Sequence, residues 1–179
     1  GYKLNNGITK KTLLESYDES DFEDDTWVLM YVCLGSTIER EPWTPITNNC
    51  WHFDAECIED NGSYVDILEN LKRISKGQLG FENIKDFVDI ENEKAWVSFD
   101  FKGQNYKWNL RVADDWVDGA LFDKVQELNL EVNNSKKFTV YGLGQDGVIG
   151  YMNEKEMSDF KKITNIRIKW LNGIKDIGQ

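Results

Sequence analysis

The sequence predicts an α+β domain built on a mainly antiparallel sheet, and three observations support this fold class. Two alternating segments flank Lys102-Gly103, which is the pattern of a β-hairpin. Apolar residues recur at helical spacing in several segments that begin with capping residues. Between residues 51 and 141, strands and helices follow one another in the order of a split βαβ unit.

The N-terminal region predicts an acidic arm over residues 1–25, with a short helix as an alternative, followed by a buried strand over residues 26–34. The carboxylates of this arm belong to Glu15, Asp18, Glu19, Asp21, Glu23, Asp24 and Asp25. Beyond the strand, Pro42 and Pro45 keep the chain irregular because each proline also restricts the residue before it. Trp43 therefore lies on a stiff loop, where we expect a surface aromatic.

The next elements are a strand over residues 51–58 and a helix over residues 63–76. Ser63 is the expected N-cap, Asp66 completes a capping-box-like arrangement, and Gly77 ends the helix. The buried stripe of this helix is Tyr64, Ile67, Leu68, Leu71 and Ile74. Phe81, Ile84 and Phe87 are expected to anchor an irregular connection after it.

The hairpin over residues 95–112 has a predicted register in which Phe101 pairs with Gln104 across the turn. One face then holds Val97, Phe99, Tyr106, Trp108 and Leu110, and the other holds Ser98, Asp100, Asn105, Lys107 and Asn109. The first face belongs to the core and the second mostly to solvent.

The C-terminal part predicts a helix capped by Asp118, strands over 137–141 and 148–152, a helix capped by Asn153 with Glu156, and a strand over 166–171. The whole order predicts a ferredoxin-like centre with an extra N-terminal strand and a C-terminal strand-helix-strand extension. We expect one domain over residues 26–171 and a polar tail over 172–179.

The net charge of −11 opposes binding to phosphate backbones and to anionic membranes, so neither nucleic acid nor a membrane is an expected partner. The same charge favours association with a basic protein, although it also serves solubility. The three cysteines indicate reduced thiols in the cytoplasm, with a Cys50–Cys57 disulfide as an alternative. Because the chain starts at Gly1 rather than Met, export after removal of an upstream segment stays open.

Possible metal ligands are concentrated around the second strand, at Cys50, His52, Asp54, Glu56 and Cys57. Strand alternation places His52, Asp54 and Glu56 on one face and Cys57 on the other, so we predict no metal site. The alternative is a carboxylate-based or cation-dependent hydrolase that uses His52, Asp54 and Glu56. A Cys–His dyad could use only His52, and idle thiols are the preferred interpretation.

Motifs that would name a reaction are missing or stand in the wrong context. Residues 142–147 match G-x-G-x-x-G, but a predicted strand follows where a dinucleotide-binding loop needs a helix, so we predict a glycine-rich β-turn. No P-loop, H-E-x-x-H or G-x-S-x-G sequence occurs. No cofactor is expected.

The function that the sequence favours is a non-enzymatic acidic module for protein interaction, and the enzymatic alternative stays open. The expected partner-binding residues are Trp43, Asp114, Asp115, Trp116 and Asp118. An inhibitor or immunity-type protein of a basic partner is the most specific form of this hypothesis. The ferredoxin-like order gives no reason for the cluster at 114–118 to lie near His52.

Overall fold

The computed structural model describes residues 2–15, 17, 18, 20–132 and 135–172, without the side chain of Asp24. Its helices are α1 (Lys10–Leu13), α2 (Asp21–Gly35), α3 (Ser63–Ile74), α4 (Ala120–Glu131) and α5 (Glu154–Thr164). Its strands are β1 (Cys50–Asp54), β2 (Glu82–Asp89), β3 (Lys94–Phe101), β4 (Gln104–Leu110), β5 (Lys137–Gly142), β6 (Asp146–Met152) and β7 (Lys169–Trp170). The α+β class is therefore confirmed.

The strands form two antiparallel sheets, one in the order β1-β6-β5-β7 and the other in the order β2-β3-β4. The ferredoxin-like split βαβ arrangement is not confirmed, because β1 pairs with β6 whereas the hairpin strands pair with β2. The strands on either side of α3 thus belong to different sheets. The C-terminal strand-helix-strand order is present as β6, α5 and β7, but the last strand covers only Lys169–Trp170 instead of the predicted residues 166–171.

The extra N-terminal strand predicted over residues 26–34 is wrong, since these residues belong to helix α2. A continuous apolar run fits a helix covered on several sides as well as it fits a buried strand. Here Tyr31 packs into one hydrophobic cluster and Cys33 into another. The helix is broken at Asp25, whose φ of −146° and ψ of 71° are not helical.

The second strand is shorter than predicted, and a further strand, β2, occupies the segment expected to be irregular. β1 ends at Asp54, whose carboxylate accepts a hydrogen bond from the Glu56 amide at 2.9 Å and turns the chain. In β2, a bulge between Glu82 and Lys85 interrupts the alternation, and Asn83 has a φ of 52°. Because the bulge shifts the alternation of side chains, a period-two pattern in the sequence does not predict β2.

Three predictions that rest on local signals are confirmed, whereas the predicted N-cap of α3 is wrong, since Gly62 rather than Ser63 takes that position. The hairpin has the expected register, with Phe101 opposite Gln104, and its turn uses positive φ angles at Lys102 and Gly103. A full capping box joins Asn153 and Glu156 at the start of α5. The predicted β-turn over residues 142–147 is the tight connection between β5 and β6.

The four-stranded sheet lies between two layers of the protein, and β6 shows this most clearly. Its Ile149 and Tyr151 belong to the main hydrophobic core, which also contains the buried faces of α3, α4 and the three-stranded sheet. Its Val148 and Met152 belong to a second cluster with Tyr31 of α2 and Met157 of α5. Because successive side chains point to opposite faces, β6 is buried on both.

The N-terminal segment packs against the loop that contains the two prolines. Leu4 bridges to Thr47, and Leu13 joins a small cluster with Cys33 and Ile46. The predicted boundary between an N-terminal arm and the domain at residue 25 stays a prediction, and so does the polar tail. Residues 173–179 of this tail and Glu19 of the predicted arm lie outside the described residues. Within the described part, no helix has the length and apolar character to cross a membrane.

Candidate functional site

Two acidic segments that are far apart in the chain lie side by side in the fold. Glu56 and Trp116 form an antiparallel bridge, the Val117 amide donates to the Ala55 carbonyl at 2.9 Å, and the Ile58 amide donates to the Asp115 carbonyl at 2.8 Å. We call residues 54–60 and 113–118 the acidic surface. Their thirteen positions hold seven acidic residues and no basic one. This contact was not predicted from the sequence.

The turn between β5 and β6 holds the two carboxylates at the end of β1. The Gln145 side-chain amide donates to Asp54 Oδ1 at 3.2 Å and to Glu56 Oε2 at 2.7 Å. The Ala55 amide also donates to the Gln145 carbonyl at 3.1 Å. Gln145 therefore fixes the edge of the acidic surface, and no motif in the sequence singles it out.

His52 is held by the same turn, since its Nε2 lies 2.7 Å from Asp146 Oδ2. The pairing of β1 with β6 places Asp146 opposite Asp54. Since Asp54 and His52 are two residues apart in β1, their side chains and that of Asp146 lie on the same face. The alternative catalytic set is therefore held by the turn: His52 contacts Asp146, and Asp54 and Glu56 contact Gln145. The partly buried His52–Asp146 pair fixes the orientation of the imidazole.

Cys57 belongs to the first of the two segments, and its thiol is not activated. Burial, followed by the negative charges of Asp54, Asp115 and Glu59, raises the pKa of Cys57 to about 12. Burial also raises the pKa of Cys50. All three cysteines are free thiols, so the alternative Cys50–Cys57 disulfide is absent. A Cys–His dyad at His52 would lack a thiolate nucleophile.

The predicted partner-binding residues on the loop before α4 differ in their roles. Asp118 accepts hydrogen bonds from the amides of Arg111 at 2.8 Å and Ala120 at 3.1 Å, so its carboxylate shapes the loop. Asp114 is exposed, whereas Asp115 and Trp116 are half-buried, and Trp116 packs against the main core. Asp114, Asp115 and Trp116 consequently keep side-chain surface that a partner could contact.

Trp43 belongs to a different part of the molecule. Its side chain is 54% exposed, and its amide donates to the Arg40 carbonyl at 2.7 Å. The surrounding loop is closed by a hydrogen bond from the Ile38 amide to the Thr44 carbonyl and packs through Ile46 against Leu13 and Cys33.

A cleft of about 310 Å³ borders the acidic surface near the start of α3. Its lining includes His52, Asp54, Cys57, Asp60 and Asp66. Burial, followed by the charge of Asp86, raises the pKa of Asp66. Among the residues that the structure describes, no group of three or more His, Cys, Asp or Glu side chains is arranged to hold a metal ion.

Comparisons with protein families, with curated proteins and with solved structures find no match for this chain. The function must therefore be inferred from the geometry of its own surfaces.

Proposed function

We propose that this chain is a non-enzymatic interaction module that binds a basic protein through the acidic surface. The observation that supports the proposal is the backbone pairing of residues 55–58 with residues 115–117, which joins two acidic segments into one patch. Separate acidic segments are common on soluble proteins. A rigid patch without basic residues is better suited to lysine and arginine side chains of a partner.

The patch combines long-range attraction with a site for close packing. The net charge of −11 speeds encounter with a positively charged protein, and the effect weakens as salt is added. Trp116 offers an aromatic surface among the carboxylates, and partly buried aromatic residues of this kind often carry much of the binding energy at interfaces.

The most specific form of the proposal is an inhibitor or immunity-type protein for a basic enzyme such as a nuclease. The carboxylates would occupy the sites that bind phosphate groups of its substrate. This role fits a cytoplasmic protein whose cysteines are thiols. Nucleic acid itself is not the proposed partner, because its phosphates would be repelled by the same surface.

Affinity capture from a lysate of the source cells tests the proposal with variants of matched charge. We expect the wild-type chain to enrich a basic protein and the Asp114→Lys/Asp115→Lys variant to recover at least about tenfold less, in line with the loss of interfacial charge pairs. Asp123→Lys/Glu127→Lys on the exposed face of α4 changes the charge equally and should retain the partner. Equal recovery with both variants, or enrichment of no basic protein, would reject the proposal.

A second candidate function is a carboxylate-based hydrolase at the cleft beside His52. The observation that favours it is the raised pKa of Asp66 in a cleft that also contains His52 and Asp54, because catalytic acids and bases often combine such contrasting groups. Calorimetric titration with calcium, magnesium and zinc tests the cation-dependent form. Heats that are unchanged by Asp54→Asn and Glu56→Gln would remove it.

A further inference from the structure

A second pocket of the described structure lies between α2, α5 and the end of β6, and it shares no lining residue with the acidic surface. Its volume is about 540 Å³, which is within the range of roughly 300 to 1,000 Å³ that is usual for small-molecule sites. The C-terminal end of α3 and Tyr2 of the N-terminal segment complete its walls.

The walls of this pocket are mainly apolar, and two of its large side chains remain exposed. Trp27, Met30 and Leu34 of α2 face Phe160 and Ile163 of α5. Trp27 is 47% exposed and Ile163 is 67% exposed. Apolar surface at the mouth of a concave site is surface that a bound molecule would remove from water.

The charged side chains of the pocket and their ion-pair partners are three lysines and two carboxylates among the described residues, so one positive charge is in excess. Glu156 lies 2.7 Å from the Lys136 ammonium, and Asp159 lies 2.6 Å from the Lys155 ammonium, so both acidic residues of the lining are paired. Lys76 also lines the pocket, just after the C-terminal end of α3; within the described residues it forms no direct ion pair, but its charge adds to that of Lys136 in lowering the pKa of Glu156. A site with a spare positive charge contrasts with the net charge of −11 for the whole chain.

We propose that this pocket binds a small amphipathic molecule with an apolar ring or chain and one negatively charged group. The apolar part lies between α2 and α5, against Phe160 and Ile163, and the charged group lies beside Lys76. Apolar burial provides the affinity, and the lysine selects the charged end.

Two fluorescent probes with the same aromatic body test the proposal, namely 8-anilino-1-naphthalenesulfonate, which is anionic, and the uncharged N-phenyl-1-naphthylamine. We expect saturable binding of one molecule per chain, with the anionic probe bound several-fold more tightly. Ile163→Glu should weaken both probes at least about tenfold, because it puts a charge into the apolar site. Leu130→Glu, which alters a leucine on α4 that is also more than half exposed, should leave both unchanged.

The charged end has its own matched pair of variants. Lys76→Gln should remove the preference for the sulfonate and leave the uncharged probe unaffected, whereas Lys94→Gln, which alters an exposed lysine at the start of β3, should change neither. Near-ultraviolet circular dichroism of each variant checks that the fold is retained, since partly unfolded chains also bind such dyes.

Four outcomes would overturn the proposal. Three come from the probes: unsaturable binding, equal affinities of Ile163→Glu and Leu130→Glu, or a sulfonate preference that survives Lys76→Gln. The fourth comes from sedimentation, because a dimer that dissociates on Ile163→Glu would show that a second copy of the chain covers this face instead. The Asp114→Lys/Asp115→Lys variant should bind both probes as the wild type does. Failure of the pocket proposal can therefore be distinguished from failure of the proposal for the acidic surface.

Discussion

The amide nitrogen of Gly62 lies 2.8 Å from one carboxylate oxygen of Asp86 and 3.0 Å from the other. The same carboxylate accepts hydrogen bonds from the amides of Tyr64 at 2.9 Å and Val65 at 3.3 Å. Asp86 on β2 thus satisfies the free amides at the start of α3 and joins this helix to the three-stranded sheet.

Replacing Asp86 tests this contact. We expect Asp86→Ala to lower the free energy of unfolding by about 2 kcal/mol or more, because it leaves partly buried amides without an acceptor. Urea unfolding followed by circular dichroism measures the change. Asp123→Ala, which removes an exposed carboxylate from the first turn of α4, should cost less than about 1 kcal/mol. Similar losses for the two variants would contradict a capping role for Asp86.

The contact at Asp86 also illustrates what the sequence could and could not predict. The capping box at Asn153 and Glu156 and the register around Lys102-Gly103 depend on neighbouring residues, and both are confirmed. At α3 the sequence offered Ser63 as the cap, but the structure uses a residue 24 positions after Gly62. Local patterns carry no information about such a partner.

The same limit applies to the candidate site. The acidic residues at 114–118 were identifiable from composition, but their place beside residues 55–58 depends on how the loop before α4 packs. Gln145 and Asp146 lie in the turn that matches G-x-G-x-x-G, and this motif predicts nothing about their side chains. Their contacts with His52, Asp54 and Glu56 follow from the pairing of β1 with β6, which the expected fold did not contain.

Gly35 at the end of α2 lies against the backbone of β1 and should not tolerate a side chain. A Cβ atom at this position would lie 2.6 Å from the His52 amide nitrogen and 3.1 Å from the Trp51 carbonyl carbon. We expect Gly35→Ala to destabilise the protein by about 2 kcal/mol or more, because backbone atoms of a strand cannot move aside individually. Gly80→Ala is the control, since its nearest neighbour would be 3.8 Å away. Equal melting temperatures for the two variants would refute the close approach.

The reactivity of the Cys57 thiol depends on the carboxylates of the acidic surface. A pKa of about 12, raised by burial and then by Asp54, Asp115 and Glu59, leaves about a thousandfold less thiolate at pH 8 than an ordinary cysteine has. Alkylation by iodoacetamide requires the thiolate. We expect slow labelling that rises about tenfold per pH unit between pH 8 and 10, without the plateau that an ordinary thiol reaches above pH 9.

Labelling of the Cys57 peptide is measured by mass spectrometry, which separates it from the buried Cys33 and Cys50. Asp115→Asn should speed the reaction, because removing a nearby negative charge lowers the pKa of the thiol, whereas Asp123→Asn on α4 should not. A rate that levels off near pH 9 in the native protein would show that Cys57 lacks these surroundings. Unchanged kinetics in Asp115→Asn would mean that the carboxylate of Asp115 is directed away from Cys57, which would weaken the case for one continuous acidic surface.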